Sequence, residues 1–370
     1  MNKPSCSSHH TVDRLIKNIP PFGRMGVFEH FWPETLRRWE QQGHYPFDRN
    51  HAPCCPAEFF NLDLFHAKGW IALDPFYQNQ QVIHDDNEKQ IIVNGNGATI
   101  RVWKNKSGTP EHLSFDMDSR KKWEEKYKPA LLRWDENRIV TTPTIQELSR
   151  LKNLGKWSYF GIHFVWEQLR GAIGDVKMLE SFHDAPEWIH DYNRTYTEFY
   201  RRYYTWIFEH VGKPDGIWIH EDIAYKNGLF CSPAHLEEFI FPYYREIVSF
   251  FHSHELPVLF HSDGKIEKII PRLVSLGFRS LNPMDAKSGC DVVDFAEKFG
   301  EKIAFFGGMD VRILESGDLQ AIQKEVIRIT SAMRRTGARY IFGSDHSIPP
   351  SVHFQSYQHA LECFRDHAHY

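Results

Sequence analysis

From residue 159 onward the chain alternates short runs that are apolar on both faces with longer segments of helical periodicity. Strands are expected at Tyr159 to His163, Gly216 to Glu221, Val258 to Ser262, Ser280 to Asn282, Ile303 to Phe306 and Tyr340 to Gly343. The helical segments between and after them are Pro186 to Val211, Pro233 to His254, Ile266 to Leu276, Val292 to Gly300, Leu319 to Thr336 and His353 to Arg365. A strand without a polar face has to be covered on both sides, and strands separated by helices run parallel. Two earlier candidates, Arg24 to Glu29 and Trp70 to Asp74, bring the number to eight, which is the number that closes a (β/α)8 TIM barrel. Periodicity alone also allows an open doubly wound sheet, so closure stands as an expectation.

The N-terminal half is less regular. Residues 1 to 18 are polar and read as a flexible tail, and Pro20 and Pro21 mark the entry to a single barrel domain over 19–370. Helices are expected at Pro33 to Gln42, Ala57 to Ala67, Lys121 to Leu132 and Thr144 to Lys152. The run IIVNGNGATIRVW places strand-like segments on either side of an Asn-Gly turn, so 78–118 reads as an antiparallel β-hairpin insertion. Such an insertion serves as a lid, as a dimer arm or simply as cover for a barrel edge. KNKSG, Lys104 to Gly108, reads as a solvated turn.

With 370 residues, 41% of them hydrophobic, the chain can bury a full core. A net charge of −4 argues against nucleic acid or an anionic membrane as partner and favours a small molecule. The six cysteines include no CxxC pair and read as reduced thiols; the adjacent Cys54 and Cys55 could bind a soft metal but are more simply incidental. No signal-peptide h-region opens the chain and no run reaches the ~18 apolar residues of a membrane span, so a cytoplasmic location is expected. Aromatic residues make up 15% of the chain, which fits a ring-lined pocket or merely a ring-filled core; Trp39, seven residues after Trp32, has core spacing.

In a barrel of this kind the active face lies at the strand C-termini. The polar residues there are Glu29 and His30, His163, then His220, Glu221 and Asp222, then His261 and Asp263, then Asn282, Asp310, and finally Asp345 and His346. His261 and Asp263 share one face of their strand, and Gly264 lets the backbone turn behind them. With closure, His346 reaches the same mouth, and two imidazoles plus a carboxylate suit Zn²⁺, or Fe²⁺ or Mn²⁺. The same residues could instead work without metal as acid and base, or His261 and His346 could simply be hydrogen-bonded while Asp263 caps a helix. Glu221, as fourth ligand or general acid, joins His346, Glu29 and His163 as catalytic candidates. Phe31, Trp32, Asn282, Asp310 and Arg312 are the candidate substrate-binding residues.

Four segments carry a family resemblance: GIWIHEDIAYKNGLFCSPAHLEEFIFPYYREIV, VLFHSDGKIEKIIPRLVSLGFRSLNP, KIAFFGGMDVRIL and YIFGSDHSIPPSV. Over about the last 155 residues the chain resembles the uroporphyrinogen decarboxylase superfamily. That group contains heme-pathway decarboxylases and corrinoid-dependent methyltransferases, and the resemblance implies a (β/α)8 barrel. The decarboxylases hold a carboxylate-rich porphyrinogen through an N-terminal pair of arginines. Here the matching segment is MGVFEHFWPETL, with Glu29, His30 and Glu34, although His346 matches a late-barrel histidine of that branch. The methyltransferases hold zinc with an H-x-C pair and a distant cysteine, where this chain has His261-Ser262-Asp263 and His346.

The expectation is therefore a metal-dependent methyltransferase acting on a small methoxy, hydroxyl or thiol compound, with a corrinoid protein as partner. A decarboxylase (a lyase) acting on a porphyrinogen or a small aromatic carboxylate is the alternative, and Arg312 and Lys287 are its candidate cations. A non-catalytic ligand- or corrinoid-binding barrel is the third reading. The resemblance also implies a homodimer.

Overall fold

The computed structural model describes residues 7–46, 55–105 and 108–370. Its strands, in chain order, begin with β1 (Gly26–Val27) and β2 (Leu64–His66). Then come β3 (Gln81–Asp85), β4 (Lys89–Val93), β5 (Ala98–Trp103) and β6 (Glu111–Phe115), followed by β7 (Trp157–His163) and β8 (Gly216–His220). The last are β9 (Ala224–Tyr225), β10 (Gly228–Leu229), β11 (Val258–His261), β12 (Ser280–Asn282), β13 (Ala304–Phe306) and β14 (Tyr340–Phe342).

Eight of these strands form one parallel sheet in the order β1-β14-β13-β12-β11-β8-β7-β2, nearly closed into the (β/α)8 barrel that the alternation implied. At the seam between β1 and β2, Asp63 stands in for a ladder. Its amide donates to the Val27 carbonyl at 2.9 Å, and its carboxylate accepts from the Val27 amide at 2.9 Å and from both terminal nitrogens of Arg24 at 2.7 Å.

The second strand lies earlier in the chain than expected. Residues 64–66 pair with β7, and the expected helix over Ala57 to Ala67 shrinks to Pro56–Phe59. Of the expected strand over Trp70 to Asp74, only one antiparallel bridge between Ile71 and Ile139 exists. A short apolar run has no period long enough to separate strand from helix, and here tertiary pairing decides.

The insertion holds more than a hairpin: β3, β4, β5 and β6 form a four-stranded antiparallel sheet. Its Asn-Gly turn joins β4 to β5, where Asn94 Oδ1 accepts from the Asn96 and Ala98 amides and Gly97 takes φ +80°. Thr109, just before β6, reaches the barrel mouth and lines the cavity around His261.

The expected flexible tail is instead structured from residue 8. Ser8–Lys17 is a helix capped by the Ser7 hydroxyl, and Val12, Leu15 and Ile16, spaced i, i+3, i+4, are fully buried. They close the barrel floor against Leu64, Trp157 and Ile341, and Arg339 donates to the Leu15 carbonyl at the helix end. Polar composition concealed this helix, because its apolar stripe is one residue in three. Of the paired cysteines, Cys54 lies outside the described residues, and Cys55 is exposed.

Candidate functional site

Because side chains alternate along a strand, every second residue of a barrel strand faces the interior. Phe28, Leu64, Tyr159, Trp218 and Leu259 meet there in one apolar layer. Two residues further along the chain, or four after Tyr159, each is followed by a histidine: His30, His66, His163, His220 and His261. An apolar floor thus carries a layer of imidazoles at the strand C-termini. Parallel pairing sets His163 beside His220, His220 beside His261 and His261 beside Asn282.

Two cavities open on this layer. One, of about 250 Å³, is polar and is lined by Glu29, Trp32, Asp222, His261, Asp263, Asn282 and His346. The other, of about 530 Å³, is ring-rich and is lined by His66, Trp70, Tyr159, Gly161, His163 and Trp218. His30 and His220 line both. Among the described residues lining either cavity, none is lysine or arginine.

Imidazoles and carboxylates alternate across the polar cavity. His220 Nε2 lies 3.6 Å from Asp222 Oδ2, and Asp222 Oδ1 lies 3.7 Å from His261 Nε2. That nitrogen lies 3.8 Å from Asp263 Oδ1, and Asp263 Oδ2 lies 3.7 Å from His346 Nε2. A charge-assisted hydrogen bond spans about 2.7–2.9 Å, so these four separations are too long for one. Two ligands about 2.1 Å from a shared ion and about 120° apart are about 3.6 Å from each other, so the spacing suits a cation between them.

The most compact set is not the expected one. His220, Asp222 and His261 bring three ligand atoms within 4.8 Å of one another, and the imidazoles of His220 and His261 stack at 4.0 Å. Of the expected trio, His261 and His346 reach opposite oxygens of Asp263, and all three line the one cavity. His220 and Asp222 were visible in the sequence as a second H-x-D pair, His220-Glu221-Asp222, one strand before His261-Ser262-Asp263. Recognising that the two pairs stand in register would have assigned them.

Electrostatics match the geometry. Burial, and then the neighbouring His220, push the His261 imidazole down to about 3, so it presents a neutral lone pair. Burial and the adjacent Asp222 push the Asp263 carboxyl up to about 6. Burial also opposes ionisation of Asp222, yet His220 and His261 beside it hold its carboxyl below the usual range. His261 Nδ1 is anchored to Asn282 Oδ1 at 2.5 Å, which assigns the proton to Nδ1 and leaves Nε2 facing the carboxylates.

The remaining candidates separate into those at the mouth and those outside it. Trp32 stacks on His346 with 6.3 Å between ring centroids and 22° between planes, and Asn282 anchors His261. Glu29 lines the polar cavity but accepts from the Ser344 hydroxyl at 2.6 Å and the Ser344 amide at 3.0 Å; burial pushes its carboxyl up to about 8. His163 faces the ring-rich cavity.

Glu221 faces away from the mouth. Its carboxylate is fully buried and accepts from the amides of Phe164, Trp166 and Glu167 and from the Tyr244 hydroxyl, at 2.7–3.1 Å. It holds the start of the helix Val165–Ile173, because the residue after His220 points out of the barrel. Phe31 packs outside the mouth, against Phe60, Trp39 and Tyr357. Asp310 caps the helix Val311–Glu315 and pairs with Arg312 at 2.6 Å; neither they nor Lys287 line either cavity.

Residues 174–367 match the profile of the family described as Uroporphyrinogen decarboxylase (URO-D). A curated relative, uroporphyrinogen decarboxylase from Pseudomonas entomophila (strain L48), is 32% identical over 126 residues, which are 33% of this chain and 34% of the relative. The match therefore spans about a third of that relative's length. A methyltransferase from Methanosarcina mazei superposes over 97% of this chain and 98% of its own with a TM-score of 0.66, at 11% identity, a likeness of fold.

Proposed function

Because this chain belongs to the uroporphyrinogen decarboxylase family, we propose that it is a barrel enzyme that transfers a methyl group between a small methoxy, hydroxyl or thiol compound and a corrinoid carried by a partner protein. A divalent metal would be held by His220, Asp222 and His261, with Asp263 and His346 beside it. The donor set of nitrogen and oxygen is harder than thiolate and suits zinc, manganese or ferrous iron. When bound, such an ion acts as a Lewis acid at a substrate oxygen or lowers the pKa of a hydroxyl or thiol.

The chain's own residues do the rest. Asn282 holds the His261 ring and its tautomer. Trp218, Tyr159 and Trp70 offer apolar faces to a small organic substrate in the cavity that shares His30 and His220 with the polar one. The carrying observation is the alternation of imidazole and carboxylate at 3.6–3.8 Å, too long for hydrogen bonds and right for shared cation ligands. The mouth carries carboxylates, and among the described residues that line it none is lysine or arginine, which disfavours a porphyrinogen bearing many carboxylates.

The test is elemental analysis of chain purified without chelator, followed by methylcobalamin mixed with small hydroxyl and thiol acceptors, and reduced cob(I)alamin mixed with small methoxy donors, while the corrinoid absorbance is followed. The expected result is bound metal that is lost in His220→Ala and His261→Ala, and a corrinoid change that requires it. A chain that neither retains nor takes up zinc, manganese or ferrous iron would remove the basis of the proposal.

A further inference from the structure

Asp263 turns its two oxygens toward two different imidazoles. Oδ1 is 3.8 Å from His261 Nε2, inside the compact trio, and Oδ2 is 3.7 Å from His346 Nε2, outside it. We propose that the mouth holds two divalent ions, the second between Asp263 and His346, with the Asp263 carboxylate bridging the pair. This inference rests on the reading that the mouth binds metal at all.

Three observations support a second ion. First, the donors run His220, Asp222, His261, Asp263, His346. One imidazole nitrogen ligates one ion, so His261 cannot serve both ends of this row. A carboxylate can serve two ions at once, and paired sites about 3.5–4 Å apart are spanned in that way. Second, His346 is prepared as a ligand like His261: Nδ1 lies 3.3 Å from the Ser347 carbonyl oxygen, which leaves Nε2 for the cavity, and Trp32 stacks on its ring.

Third, the charge is unbalanced. Asp222 and Asp263 both line the cavity, and among the described residues lining it none is lysine or arginine. Asp285, 4% exposed and with Oδ1 unpartnered, adds negative charge close enough to act on Asp263. A single dication in the compact trio balances Asp222 and Asp263 in number, but leaves the Asp285 charge unmatched and the Nε2 lone pair of His346 without a cation. The second position has two protein donors and therefore keeps open coordination sites for water or substrate, so it should hold its ion more weakly than the first.

The test is metal counting and spin coupling on the full chain. Loaded with Mn²⁺, it should bind two ions per chain and show the electron paramagnetic resonance signal of an exchange-coupled pair. His346→Ala should leave one ion and an uncoupled signal, and His346→Gln should do the same if loss of the imidazole is the cause. Asp263→Asn should abolish the coupling. Circular dichroism and melting temperature establish that each variant is folded.

One ion per chain, unchanged in the folded His346 variants, overturns the pair and leaves the proposed function standing. Two ions without coupling overturn the bridge. A chain that binds none overturns both readings.

Discussion

The Asn282 side-chain oxygen lies 2.5 Å from Nδ1 of His261, across the pairing of β12 with β11. An anchored imidazole reaches its ion in one orientation and one tautomer, and losing such an anchor typically costs 10–100-fold in metal affinity. Asn282→Ala should therefore weaken metal binding by about that factor while the protein remains folded. Competition against a chromophoric chelator measures it, and an unchanged affinity would mean that the contact does not orient a ligand.

Glu221 gives a contrasting expectation. Its carboxylate receives three backbone amides at the start of Val165–Ile173 and the Tyr244 hydroxyl, all buried. In Glu221→Ala these donors lose their acceptor, each at a cost of about 1–3 kcal/mol where no water replaces it. Chemical denaturation should show a loss of several kcal/mol, with metal stoichiometry retained in the folded fraction. Full stability combined with lost chemistry would return Glu221 to the role of general acid.

The barrel was readable because its C-terminal strands are apolar on both faces and are separated by long periodic helices. The mouth was readable in part for the same reason, since the polar residues that end each run had to lie at one face. What escaped depended on tertiary pairing. β2 is three residues long and owes its place to β7 and to the Asp63 clamp, neither of which leaves a period in the sequence. Glu221 and Asp222 are adjacent in one polar run, and only the strand alternation, counted from Trp218 through His220, sends the first outward and the second inward. Asp310 and Arg312 satisfy each other locally, which residue type alone does not reveal.

Gly161 lines the ring-rich cavity on β7, and a Cβ there would stand 3.4 Å from His66 Nε2, in van der Waals contact. A larger side chain must grow into the cavity, and β-branched residues suit a strand. Gly161→Val should raise KM for an aromatic or otherwise bulky substrate at least several-fold and leave the metal count unchanged. Equal KM in the two proteins would show that substrate does not enter this cavity.

The helix Ser8–Lys17 should matter for stability. Leu15 is fully buried at the barrel floor, and removing a leucine side chain from such a site costs about 2–5 kcal/mol. Leu15→Ala should lower the denaturation midpoint correspondingly without altering metal affinity, because the floor is separated from the mouth by the apolar layer. A change under ~0.5 kcal/mol would mean that the segment is not docked in solution.

His66 supplies a pH signature. Burial pushes its imidazole down to about 4 from the ordinary 6.5, and Nε2 accepts from the Trp70 indole at 2.9 Å. Between those two values the unfolded chain binds a proton that the folded chain refuses. The stability is thus fully present above pH 6.5 and is lost as pH falls toward 4. One such proton contributes a slope of about 1.4 kcal/mol per pH unit. His66→Gln keeps an acceptor for the indole and removes the titration, so its stability should fall less steeply over this window. Urea denaturation of metal-free protein at several pH values compares the two slopes, and parallel curves would show that His66 titrates normally in the folded protein.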